Sequence, residues 1–69
     1  MLNEHDTVTV KMDLPKEGIR AGDVGAVVHC YGDRDAYEVE LFDDHGRSRG
    51  VVTLLGEQLL RLNLVSLVA

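Results

Sequence analysis

Three histidines, one cysteine, two serines and twelve carboxylates are what this 69-residue chain offers for acid–base, nucleophilic or metal chemistry. His29 and Cys30 are adjacent, and a thiolate–imidazole pair would need both side chains on one side. Successive strand residues point to opposite faces, so the spacing predicts a small core cysteine and a surface histidine. Ser48 and Ser66 lack the nucleophile turn and nearby base that would activate a hydroxyl. Asp43, Asp44 and His45 supply oxygen and nitrogen donors in one short stretch. An Asp-rich segment ending in glycine is also what a tight turn uses, because aspartate accepts hydrogen bonds from its own backbone. No regular ligand spacing supports the metal reading. His5 and Asp6, ahead of the first strand, read the same way. The glycine-rich stretch from Gly18 to Gly25 has no strand-to-helix setting and no lysine to close a phosphate loop, and Asp23 would repel phosphate. One cysteine cannot form an internal disulfide, and the Cys/His spacing gives no structural zinc site. The expectation is a protein that is not an enzyme and has no cofactor and no metal site.

Charge narrows the partners. Seven basic residues against twelve acidic ones leave a formal net charge of -5. Nucleic-acid binding needs clustered Lys and Arg to neutralise phosphates. Here Lys11, Lys16, Arg20, Arg34 and Arg61 are scattered, and only Arg47 and Arg49 sit close together. Those two are expected to pair with acids on neighbouring strands such as Glu38 and Glu40. Weak nucleic-acid binding is the second reading. The acidic run Asp33, Asp35, Glu38, Glu40, Asp43 and Asp44 predicts a negative rim able to steer a basic partner. Proline-peptide recognition needs an aromatic-lined groove, and the chain has no tryptophan. Its apolar clusters are far short of the ~20 residues that cross a bilayer. The start, Met-Leu-Asn-Glu-His-Asp, lacks the basic and apolar regions of a signal peptide. Together with the single thiol, this predicts a cytoplasmic location and no membrane contact.

The elements that must position these residues are strands. Residues 5–12 alternate, with Val8, Val10 and Met12 on one face and Thr7, Thr9 and Lys11 on the other. A long loop follows, punctuated by Pro15, Gly18 and Gly22, with Leu14 and Ile19 expected to tuck onto the core. Residues 23–31 are almost continuously apolar, which predicts a second strand partly covered on both faces. Gly25 within it predicts a bulge, or a bend where another backbone comes close. A turn at 32–35 leads to a third strand at 36–42, with Tyr37, Val39 and Leu41 facing inward. A second turn at 43–48 leads to a fourth strand at 49–54. Residues 58–62 read as a short fifth strand or one helical turn. Four or five short strands without helical periodicity predict an all-β fold, a small barrel of about five antiparallel strands with a long loop between strands 1 and 2.

Ten of the sixteen residues from Leu54 to Ala69 are aliphatic. Strands one to four already supply enough apolar side chains for one small interior. The chain therefore reads as a barrel over residues 1–62 and an apolar C-terminal extension over 63–69. A terminal apolar stretch left in water is adhesive. Leu62, Leu64, Val65, Leu67 and Val68 are the predicted partner-binding residues. The alternative is that they seal the open end of their own barrel.

Three segments carry a family resemblance: the loop Leu14-Pro15 through Gly18-Ile19-Arg20-Ala21-Gly22-Asp23-Val24-Gly25, the strand Ala36-Tyr37-Glu38-Val39-Glu40, and Val51-Val52-Thr53-Leu54. Over residues 4–62 the chain resembles a family of short prokaryotic proteins known only as a domain of unknown function. Gly22-Asp23-Val24-Gly25-Ala26-Val27 is also similar to the end domain of nitrile hydratase β-subunits and to the strand–glycine motif of KOW modules. The resemblance implies an SH3-like barrel. It also implies a non-catalytic partner role: an antitoxin, an immunity protein or an accessory subunit. The relatives stop near the equivalent of Leu62, whereas this chain adds Asn63–Ala69. The combined expectation is a protein-binding module that joins a protein partner or forms a homo-oligomer.

Overall fold

The computed structural model describes residues 2–62. Strand β1 is Thr7–Val10, β2 is Val24–Cys30, β3 is Ala36–Phe42, β4 is Ser48–Leu55 and β5 is Leu59–Arg61. Short 3-10 turns occupy Pro15–Glu17 and Gly56–Gln58. All neighbours pair antiparallel in one sheet, ordered β4-β3-β2-β1-β5. The predicted fold of five antiparallel strands, with a long loop after the first, is the fold found. Of the two alternatives for 58–62 the strand is found, at Leu59–Arg61; the 3-10 turn precedes it, at Gly56–Gln58.

Val8, Val10, Ile19, Val27, Tyr37, Val39, Leu41, Leu54 and Leu59 form the core, each 5% exposed or less. They come from all five strands and the first loop. Among the described residues no second layer covers the sheet, so burial this complete requires the sheet to curl around its own inner face. The hydrogen-bonded ladder itself stays open, with β4 and β5 at its edges among the described residues.

Gly25 is where β2 and β3 approach most tightly for a side chain. A Cβ there would meet the Glu40 carbonyl oxygen at 2.5 Å and the Val39 side chain at 2.8 Å. The predicted close approach is therefore real. The break in the ladder lies further on, between Val27 and His29. This bulge explains why the outer face of β2 departs from simple alternation.

Strand β2 is covered on both faces only unevenly: Val27 is buried on the inner side, whereas Val24 is 40% exposed and Val28 43% on the outer. A single curled sheet has only one dry side, so a continuous apolar run still leaves half its side chains outward. Met12 does not join Val8 and Val10 in the core, because β1 ends at Val10 and the chain has already turned into the loop.

That loop is structured. Leu14 and Ile19 form an isolated bridge. Gly18, at φ 70, closes the Pro15–Glu17 turn in the left-handed region, which costs glycine little. Asp13 accepts a hydrogen bond from the Ala21 N–H at 2.9 Å. Ile19 is 2% exposed and Leu14 packs against the core, so both tuck in as predicted.

Candidate functional site

The acidic and basic side chains mostly do structural work. Asp43 accepts hydrogen bonds from the His45 and Arg47 N–H groups at 2.8 and 2.9 Å, which is the turn role predicted for it. Asp6 accepts one from the Asn3 N–H at 2.8 Å. No group of three His, Cys, Asp or Glu side chains able to hold a metal exists among the described residues. His29 is exposed and Cys30 faces inward, its Sγ contacting the Leu2 carbonyl oxygen at 3.6 Å. The alternation across β2 separates them as expected.

Arg49 does not pair with Glu38 or Glu40. From β4 it reaches across to the loop, donating to Asp23 at 2.8 Å and to the Gly18 carbonyl at 2.9 Å. Residue spacing could not reveal this, because the partners are joined only once the loop is folded. The Arg20 N–H also donates to Asp23, at 3.0 Å. The Arg20 N–H and then the Arg49 guanidinium hold the Asp23 carboxyl below its ordinary value. Beside this clip, Asp13, Pro15, Gly18, Ile19 and Arg20 line a depression of about 380 Å³.

The outer face of β2, β3 and β4 carries a second polar cluster. Glu38 accepts from the Tyr31 hydroxyl at 2.5 Å and from the Thr53 hydroxyl at 2.6 Å. The Thr53 and Tyr31 hydroxyls together hold the Glu38 carboxyl below its usual range. The His29 ring stands edge-on to Tyr31, and the Arg34 guanidinium lies 4.8 Å over the Tyr31 ring. Asp35 accepts from the buried Tyr37 hydroxyl at 2.5 Å. Of the six acids in the predicted rim, Asp35, Glu38 and Asp43 thus serve internal hydrogen bonds.

Apolar exposure is the feature these networks leave over. Met12, Val24, Val28, Val51, Leu55 and Leu60 all show 40% or more of their surface. Cross-strand register sets Leu60 opposite Thr9 and Thr9 opposite Val24, on the outward side of the sheet. Leu62 is half-buried, and its N–H donates to the Thr7 carbonyl at 2.8 Å. It continues the β5 edge. Leu64, Val65, Leu67 and Val68 lie outside the described residues. Exposed aliphatic groups thus stand on both edge strands, Val51 and Leu55 on β4 and Leu60 on β5.

No helix among the described residues is long and apolar enough to cross a membrane. Neither the curated proteins nor the solved structures yield a match to this sequence. A family model does match, across residues 4–61, and it spans both the structured loop and the whole five-stranded sheet. The chain belongs to the family described as Domain of unknown function (DUF4926).

Proposed function

We propose that this protein is a non-catalytic binding module that works by joining another protein chain. It either associates with itself through its C-terminal segment or serves as a small accessory or neutralising subunit of the antitoxin or immunity kind. One observation carries the reading: among the described residues, a fold that buries a core drawn from residues 8–59 still presents six large hydrophobic side chains to solvent, and an aliphatic segment with no charged side chain follows it in sequence. Exposed apolar surface that is not needed for folding favours association, because each buried methylene contributes about 0.8 kcal/mol. The cytoplasm suits such a module, since its one thiol needs no oxidising compartment.

The test compares the chain with a Leu64→Asp/Leu67→Asp variant by light scattering over a concentration series. The proposal expects the unaltered chain to associate and the variant to do so at least about tenfold more weakly. Equal masses and equal thermal midpoints for the two would remove it. An affinity capture from the native cell then separates self-association from an accessory role, by whether a second, stoichiometric chain accompanies the bait.

A further inference from the structure

Strand β4 is the long edge of the sheet, and little guards its second half. Edge strands are normally blunted by charges, proline or bulges, because their unpaired N–H and C=O groups template pairing with other chains. Over 51–55 the sequence is Val-Val-Thr-Leu-Leu, with no charge, proline or glycine. Guards stand only at its ends. Gly50, at φ 112, and a register shift against β3 bend the strand before Val51. Glu57 follows after Leu55. The opposite edge is different: β5 is only Leu59–Arg61 and ends in a charge.

The backbone of β4 faces outward at known positions. The Gly56 N–H donates back to Asp35 on the β3 side, at 2.9 Å. The Leu55 N–H points away and is met by the Gln58 Oε1 at 2.8 Å. Alternation then turns the Val51 and Thr53 amides to the outer side as well. Among the described residues no strand pairs with them. Val51, 52% exposed, stands beside this open row.

We infer that the outer edge of β4 receives residues 63–69 of a second copy as an added strand. This rests on the proposed role of the C-terminal segment in association and names its receptor. Two observations select this occupant. The segment Asn-Leu-Val-Ser-Leu-Val-Ala carries no charged side chain, so the side-chain balance of -5 lies wholly on residues 1–62. A strand from this segment therefore brings no like side-chain charge to the contact itself. Length fits too: seven extended residues span about 23 Å, and the open edge, Val51 to Leu54 before the Leu55 N–H that Gln58 meets, about 13 Å. Strand addition of this type gains affinity from main-chain hydrogen bonds and specificity from alternate side chains.

The experiment uses full-length chains in sedimentation equilibrium. Val51→Lys disables the edge and keeps the tail; Leu64→Asp/Leu67→Asp disables the tail and keeps the edge. Residue 51 is solvent-facing, so circular dichroism and the melting curve of Val51→Lys should match the unaltered chain. The unaltered chain is expected to dimerise, and each variant alone to do so at least about tenfold more weakly. Mixing the two variants should restore a heterodimer, because each supplies what the other lacks. If Val51→Lys dimerises as tightly as the unaltered chain while the tail variant is monomeric, the edge is not the receptor, although the tail still binds. Loss in Val51→Lys alone, with no rescue on mixing, overturns the inference in favour of edge-to-edge pairing. A monomeric unaltered chain at all concentrations overturns both readings.

Discussion

Asp23 shows how one side chain can hold a loop to a sheet. Its carboxylate gathers the Arg20 N–H and the Arg49 guanidinium, and its backbone carbonyl accepts the Val10 N–H at 2.9 Å. A carboxyl held below its ordinary value stabilises the fold above the unfolded pKa, here near 3.8, and that contribution disappears as pH falls through the lower folded value. Asp23→Asn and Arg49→Ala are each expected to lower stability at pH 7 by roughly 0.5–1 kcal/mol, a small figure because the pair is partly solvated. The Asp23→Asn difference should shrink toward pH 3, as urea melts at several pH values would show. A constant difference across that range would mean that charge is not the cause. Gly25 makes the opposite point, since its role is to have no side chain. Gly25→Ala drives a methyl into the Glu40 carbonyl and should cost about 1–3 kcal/mol. A thermal midpoint unchanged from the parent would contradict the close approach.

At the scale of elements, alternation was the readable signal and environment was not. Strand β3 runs Ala36–Phe42, the span its alternating pattern predicts, because one face is dry and the other wet. Strand β2 is harder to read, for a physical reason. An apolar side chain on an outward position costs little, so Val24 and Val28 say nothing about cover. Gly25 signalled a close approach correctly, but the bulge at Val28 leaves no mark in residue type. The loop also exceeded its sequence signal. Its glycines and proline announce the turn that the local Leu14–Ile19 bridge closes, whereas the Arg49 clip arises only from tertiary contact. The candidate binding surface was legible in part. The aliphatic surplus near the C-terminus is plain in the sequence, while the open edge of β4 depends on strand order. Ile19 is the loop's anchor, and Ile19→Ala should cost about 2–4 kcal/mol and speed amide exchange at residues 13–22 more than elsewhere. Uniform acceleration across the sheet would show that the loop is not an independent unit.

The whole molecule combines an acidic body with an uncharged apolar end, and the two parts suit different tasks. The body repels its own kind through its acidic excess, and two of its seven cations are engaged, Arg49 with Asp23 and Arg34 with Tyr31. Retention on heparin at low salt should therefore be negligible, and a strong, salt-sensitive retention would revive the nucleic-acid reading. The apolar end has no electrostatic reason to avoid a neighbour. Light scattering of the unaltered chain beside Leu64→Asp/Leu67→Asp tests the central claim most directly. The account predicts a concentration-dependent mass above that of one chain, collapsing to a single chain in the variant. Two proteins that both remain single chains at every concentration, with identical melting curves, would contradict it.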